Sequence, residues 1–353
     1  MTTGLEALHG SFETDQWSSP QWDSLTSRFA ATSIYQLGLY AELHSAGRFR
    51  ECSRAALFDQ EHKVAASLQM RIKRLPLQQG GVADGEWGPL WENLGQLAAF
   101  LRCLRQEYVE KRKMELRLTP ASTYSDSLDK ELVQCLEEQG FRRNAEARPY
   151  HTVVLDLSQS LEGIRAGFHQ KWRNQLNVAE KAGLQHECGT SDEFFDRFLR
   201  IYEQMWQNKK FPTGVRVPII HRMHRSLPEQ QKLLVTIVKD GDTDLGATVC
   251  AAYGNRLLYF LGATMPGLRS EARPGYLLQW LHIEKAKQLG LRWYDLGGYD
   301  DKVEDIARFK KRTNGATIQF PGQFECALKA GGSTLYSVAE RLYRRSRMLM
   351  TGR

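Results

Sequence analysis

The sequence predicts an α/β protein of two tandem domains, each a mixed sheet flanked by helices. Three observations carry this expectation. A chain of 353 residues is longer than one hydrophobic core usually organises. One order of elements occurs twice. In the first half a strand (63–75) leads to a Gly-Pro loop, a helix (92–111), a strand (114–118), a helix (127–139) and a strand (150–157). In the second a strand (256–263) leads to an Arg-Pro-Gly loop, a helix (276–289), a strand (292–296), a helix (303–313) and a strand (317–328). Both last helices close on a glycine, Gly140 and Gly315. Six matching elements favour duplication of a domain of ~150 residues over coincidence. Third, an apolar strand ends in Asp295-Leu296-Gly297-Gly298. Its tip lies at the C-terminal edge of a sheet, where open α/β sheets usually take ligands.

Each element has a local reason. Residues 1–27 are polar and rich in Ser and Trp, which reads as a loose lead-in. SIYQLGLYAELHS carries apolar residues at helical spacing and stops before Gly47. Val64, Ala66, Leu68, Met70 and Ile72 alternate with their neighbours, as in a strand. The run GGVADGEWGPLW reads as a Gly-rich loop. Leu94, Leu97, Ala98, Leu101, Leu104 and Tyr108 then share one helix face. Gly140 suits a helix C-cap, and YHTVVLDL is a strand. A basic helix is expected over 160–183, an apolar-faced one over 191–208, and another near 218–226. Strands follow at 232–239, 246–253 and 256–263, joined by turns at Asp240-Gly241 and Gly254-Asn255. The boundaries expected are 1–150 for the first domain, 151–328 for the second, which carries the main site, and 329–353 for a basic C-terminal helix.

Composition narrows the function. With 42% hydrophobic and 25% charged residues, disorder on a large scale is not expected. A net charge of +7 favours polyanionic partners such as RNA, phosphorylated substrates or acidic lipid surfaces. The six cysteines show no CxxC or Cys/His spacing, so neither a metal site nor a disulfide framework is expected. Buried free thiols fit a reducing, cytoplasmic compartment. Neither a signal peptide nor a bilayer-spanning run is read. Residues 334–350 form an amphipathic basic pattern. Docking on the first domain is the plainer reading. Peripheral contact with the anionic inner face of a membrane, where a lipid-linked acceptor would sit, is the sharper one.

The order of motifs resembles the Fem (FemABX-like) family of aminoacyl-tRNA-dependent peptidyl transferases, which resemble two fused acetyltransferase-like (GNAT) domains. The resemblance runs from about Ser33 to Leu328. It rests on SIYQLGLY, GEWGPLW, KWRNQLNVAEKAGL, RLLYFLGAT followed by RPGYLLQW, RWYDLGG and ARFKKRTNG. It implies transfer of an amino acid from aminoacyl-tRNA to an amine, commonly on a peptidoglycan precursor. Related branches make other N-acyl bonds. Aminoacyl-tRNA would be a co-substrate, and no bound cofactor, metal or stable protein partner is expected.

An amine attacking an activated carbonyl creates an oxyanion that a cation or N–H must stabilise. The resemblance places a Phe-Lys pair at Phe309 and Lys310, which makes Lys310 the first catalytic candidate. Asp295 would orient the acceptor amine or cap its own turn at Gly297 and Gly298. Tyr259 or Tyr276 would donate to a phosphate or carbonyl. Trp172 and Arg173, and Lys209 beside an aromatic pair, interleave cations with rings and suit a phosphate. His221, His224 and His282 fall in helical patterns and read as surface or core residues. Arg269-Ser270-Glu271-Ala272-Arg273-Pro274-Gly275 stands where an acetyltransferase wraps the pyrophosphate of coenzyme A. There Pro274 removes one N–H and Glu271 adds a repelling charge. Arg273 remains a substrate-binding candidate, and acyl-coenzyme A remains the alternative donor.

Overall fold

The computed structural model describes residues 10–46, 50–74, 80–209 and 215–328. The chain divides into two compact units. Unit 1 holds Met1–Pro149 with Phe320–Arg353, and unit 2 is Tyr150–Gln319. The elements of the first stretch are β1 (Phe12–Thr14), α1 (Ser19–Thr26), α2 (Gly38–His44), β2 (Arg50–Phe58), β3 (Val64–Arg74), β4 (Gly81–Glu86), β5 (Leu90–Trp91), α3 (Leu94–Leu104), β6 (Met114–Thr119), α4 (Asp126–Glu138) and β7 (Arg142–Arg143). Helix α3 continues as a wider π turn over Arg105–Lys111. Then come β8 (His151–Asp156), α5 (Leu161–Gly167), α6 (Gln170–Lys181), β9 (Gln185–Gly189), α7 (Asp192–Lys209), α8 (Val217–Ser226), β10 (Leu234–Asp240), β11 (Thr243–Tyr253), β12 (Arg256–Thr264), α9 (Pro274–Gln288), β13 (Trp293–Asp295), α10 (Glu304–Lys311), β14 (Ala316–Gln319) and β15 (Phe324–Cys326).

Unit 1 is built on the sheet β1-β2-β3-β4-β6-β15-β7, with β5 added to β3. Its core lies between one face of the strands and α3 and α4. Leu68, Met70, Ile72, Leu97, Phe100, Leu101, Leu104, Leu116, Leu118 and Leu136 are all buried there. Asn93 starts α3 by accepting from Gln96 N at 3.0 Å, so an orphan donor of the first turn is satisfied. Residues 10–27 are not a loose lead-in. Trp22 is fully buried and donates its indole N–H to Gln36 O at 2.9 Å. The fully buried Gln36 side chain in turn donates to Glu86 O (2.7 Å) and accepts from Gln69 N (2.8 Å). Large rings with one polar handle suit such anchoring, which overrides the polar composition around them.

Unit 2 has the sheet β14-β8-β13-β12-β11-β10-β9. Its core packs α6 and α9 onto the strands through Trp172, Leu176, Trp280, Ile283, Leu257 and Tyr294. The helix expected over 160–183 breaks into α5 and α6 at Phe168–His169.

Three expectations change in register. The GGVADGEWGPLW stretch contains strand β4, which pairs in parallel with β6. Its glycines hid it: Gly81 has φ 149°, and a Cβ on Gly85 would lie 2.9 Å from Leu68. The duplication is therefore offset by one strand. The counterpart of β12, which pairs in parallel with β13, is β4 and not β3. Finally, the strand expected over 317–328 is two strands in different sheets. β14 pairs with β8 in unit 2, and β15 inserts between β6 and β7 in unit 1. β8 likewise follows β7 in the chain but pairs with β13 and β14. Each repeat thus gives its last strand to the other unit's sheet, so the second unit ends at Gln319 and not at 328. The C-terminal helix expected over 329–353 lies outside the described residues.

Of the cysteines, Cys135, Cys250 and Cys326 are buried, Cys52 and Cys103 are partly so, and Cys188 is exposed. Among the described residues, no helix is long and apolar enough to cross a membrane.

Candidate active site

The two parallel strand pairs differ. In unit 1, β4 and β6 are zipped from Gly81↔Met114 to Glu86↔Thr119. In unit 2, β12 and β13 pair only from Arg256↔Trp293 to Leu258↔Asp295. Beyond that point β12 continues to Thr264, with a bulge: Cys250 faces Tyr259, Val249 faces Leu261, and Phe260 is the extra residue. Such a bulge re-aims backbone and side chains locally. The strand following α9 turns away at Gly297, whose φ is 75°.

Lys310 reaches this break from α10. It is buried, with 7% of its surface exposed. Its ammonium donates to Gly297 O at 2.9 Å and Gly298 O at 2.8 Å, and lies 5.4 Å from the centre of the Tyr259 ring. An ammonium has three donors, so one remains beyond these two carbonyls. Burial pushes its pKa down from 10.5 to about 8, against the pull of the Asp295 charge. Asp295 is fully buried. It accepts from Gly297 N at 2.8 Å and from the Thr152 hydroxyl, whose single hydrogen is shared with Gly297 O, 3.0 Å from the Thr152 oxygen. The carboxylate therefore faces the turn that holds Lys310. Tyr259 is half-buried, with its hydroxyl over Gly262, where a Cβ would meet it at 1.8 Å. Burial raises the pKa of that hydroxyl.

Phe309 packs its ring edge-on against Tyr276 at 4.9 Å and tilted against Trp172 at 6.0 Å. The fully buried Trp172 meets Tyr276 at 5.1 Å. These rings tie α10 to α6 and α9. On their far side Tyr276 lines a cavity of about 370 Å³ with Lys171, Asn174, Gln175, Arg273 and Arg312. Arg273 is a left-handed residue (φ 54°) at the N-terminus of α9. Three cations beside the first turns of two helices make a concavity suited to phosphate oxygens.

The remaining candidates are placed elsewhere. Arg173 donates to Ala166 O (2.8 Å), Phe168 O and Gln170 Oε1 (2.6 Å). Its guanidinium closes the end of α5 instead of facing the cavity. Lys209 ends α7, away from this cluster in sequence and element, and its side chain lies outside the described ones. His282 is fully buried, in contact with Thr248 Oγ1 (2.8 Å) and Tyr294 OH (3.1 Å). Burial holds its pKa down to about 3, so it stays neutral in the core. Sequence reasoning passed over Thr152, Lys171's neighbours Asn174 and Gln175, and Arg312. A hydroxyl at the second position of the strand HTVVLD, beside the apolar run Val153–Leu155, was the available signal for Thr152.

The Gly297 turn is testable by itself. A Cβ there would meet Tyr259 O at 2.4 Å, whereas one on Gly267, with the same φ of 75°, meets nothing within 4 Å. Gly297→Ala is expected to lower stability by more than Gly267→Ala, which reports the torsional cost alone, of order 1–3 kcal/mol. Thermal denaturation of the two variants measures the difference.

In unit 2 a parallel pair that parts at a bulged strand, with a helix between its strands whose N-terminus borders a cationic cavity, marks an N-acyltransferase-like (GNAT) fold, and unit 1 repeats its element order with the pair still zipped. Residues 166–311 match the family model described as an acetyltransferase (GNAT) domain. The chain is similar in structure to FemX, at 15% identity and a TM-score of 0.77, over 92% of this chain and 99% of that one. It is also similar to the C-terminal domain of a putative lysylphosphatidylglycerol synthetase from Agrobacterium fabrum, at 10% identity and TM-score 0.57, over 91% and 94% of the two chains. A third is L-PGS from Bacillus licheniformis, at 12% identity and TM-score 0.53, over 93% and 98%. No curated protein sequence matches. The likeness to the Fem proteins is one of fold: a tandem GNAT-like architecture across nearly the whole chain.

Proposed function

We propose that the protein forms an amide by transferring an aminoacyl group from aminoacyl-tRNA to the amine of a small or lipid-linked acceptor, such as a peptidoglycan-precursor-like molecule. The observation that carries this reading is Lys310, a desolvated ammonium fixed by two carbonyls where β12 and β13 part. The acceptor nitrogen attacks the ester carbonyl carbon, an N–C bond forms, and negative charge collects on the carbonyl oxygen. The third N–H of Lys310 stabilises that oxygen, and low dielectric strengthens the contact. Collapse breaks the C–O bond to the ribose, and the proton lost by the amine passes to the leaving ribose oxygen. No protein nucleophile is needed. The Lys171–Arg273–Arg312 cavity suits phosphates of the donor's 3′ end, and Phe309 keeps α10 seated.

A second reading, acyl-coenzyme A as donor for N-acylation, is favoured by the GNAT-domain match over 166–311 and by the same cavity. Transfer from a pool of charged tRNAs bearing radiolabelled amino acids, with cell extract as acceptor source and RNase as control, separates the two. Label reaching a small acceptor in an RNase-sensitive way is the expected result. Consumption of labelled acyl-coenzyme A without that transfer selects the second reading. Tight tRNA binding with no turnover would make the protein a binding module.

A further inference from the structure

We infer that Asp295 and Thr152 are positioning residues that build the carbonyl cradle of Lys310, and that Asp295 does not handle the acceptor amine. This deepens the reading of Lys310 above and rests on it for its catalytic consequence, though not for its geometry. Asp295 ends β13 with its carboxylate fully buried. A buried carboxylate must be matched by donors, and here they are the Gly297 N–H at 2.8 Å and the Thr152 hydroxyl. Both donors come from the two sides of the turn. Gly297 is two residues on in the same strand end, and Thr152 lies on the neighbouring strand β8, in the register Asp295↔Val154. Thr152 also reaches Gly297 O at 3.0 Å, the same oxygen that accepts from Lys310. The Gly297 peptide is therefore held at its N–H by Asp295, and its oxygen shares the single hydroxyl hydrogen of Thr152 with that carboxylate. The Gly297 carbonyl, one of the two that grip the ammonium, has little freedom left.

The groups facing Lys310 are few. Asp295 comes from β13 and is the charge that favours its protonated form. The Tyr259 ring comes from β12, and Thr152 from β8. On its own helix, Arg308 pairs outward with Asp305 at 3.1 Å and Lys311 with Asp301 at 2.8 Å. The single anion of the cradle is Asp295, among the described residues. Removing its charge should make Lys310 easier to deprotonate while leaving Lys310 in place.

The test reads the Lys310 titration midpoint by NMR of 13C-lysine-labelled full-length protein, with Lys310→Arg to assign the resonance. Asp295→Asn is expected to lower the midpoint by about one pH unit, and Thr152→Val to lower it by less. Thr152→Ser, which restores the hydroxyl, is expected to keep the wild-type value. Thermal melts identify which variants fold. Should Asp295→Asn fail to fold, the Thr152→Val and Thr152→Ser pair decides alone. An unchanged Lys310 midpoint in folded Asp295→Asn and Thr152→Val protein overturns the inference. So does Thr152→Ser behaving like Thr152→Val. If the midpoint moves as expected but no acyl donor is ever used, the cradle stands and the transferase reading falls.

Discussion

Lys310→Met is expected to fold and to lose acyl transfer by on the order of 100- to 1,000-fold, the usual cost of deleting one oxyanion donor in a dry site. The loss should fall on kcat, because the contact strengthens only as charge develops on the carbonyl oxygen. Wild-type activity should decline above about pH 8, where Lys310 gives up its proton. Stability carries the same signature with a fixed sign. The folded pKa lies below the ordinary 10.5, so between about pH 8 and 10.5 the unfolded chain binds more protons than the folded one. Stability attributable to this group therefore rises with pH across that window. Lys310→Met should remove that rise and be less stable than wild type at neutral pH, since it leaves the buried Asp295 without its cation and the Gly297 and Gly298 carbonyls without their donor. Denaturant titrations at pH 7 and pH 10 test this. A variant that keeps full transfer with a verified donor and acceptor would sink the role given to Lys310.

Ending the chain after Gln319 is expected to abolish cooperative folding of unit 1, although the cut lies at the end of unit 2. β15 sits inside the unit 1 sheet, with Phe324 opposite Leu118 and Arg143. Its removal strips the ladder from one edge of β6, isolates β7, and uncovers a core around the fully buried Phe324. The Arg143 contact to Pro321 O at 3.0 Å and the Asn144 contact to Glu325 at 2.6 Å go with it. A chain ending after Leu328 keeps all of these and is the control. Phe324→Ala, which leaves the backbone ladder in place, should cost about 3–5 kcal/mol. Calorimetry and hydrogen exchange of β6 amides distinguish the three. If the chain ending at Gln319 protects β6 as well as the control does, the exchanged strand is not structural.

Much of the secondary structure was legible because its causes are local. The one-face stripe of α3, the alternation in β3 and the glycine after α4 each reflect a period or a torsion written in adjacent residues. Strand β4 was not legible, because two glycines and two acids in six residues suggest a loop. It becomes a strand only when Arg71 pairs with Asp84 at 3.1 Å and Glu86 at 2.9 Å and β6 fills its other edge. In the site, Lys310 and Phe309 came from the resemblance and Asp295 from the strand end. Arg173 was read as a phosphate ligand because nothing in KWRNQ reveals that α5 ends beside it with open carbonyls.

The sequence by itself determined that this is a duplicated α/β chain, where most of its helices and strands lie, and which strand end to inspect. Only the tertiary structure decided which sheet each strand joins, that β8 and β15 cross between the repeats, and that the parallel pair parts in unit 2 while staying zipped in unit 1. It also turned Asp295 toward Gly297 and Thr152, under the Lys310 cradle. The reason is physical: a helix closes its hydrogen bonds within four residues, whereas a strand takes its partners from distant chain. Neither the partner of β15 nor the environment of a buried lysine can be read from adjacent residues.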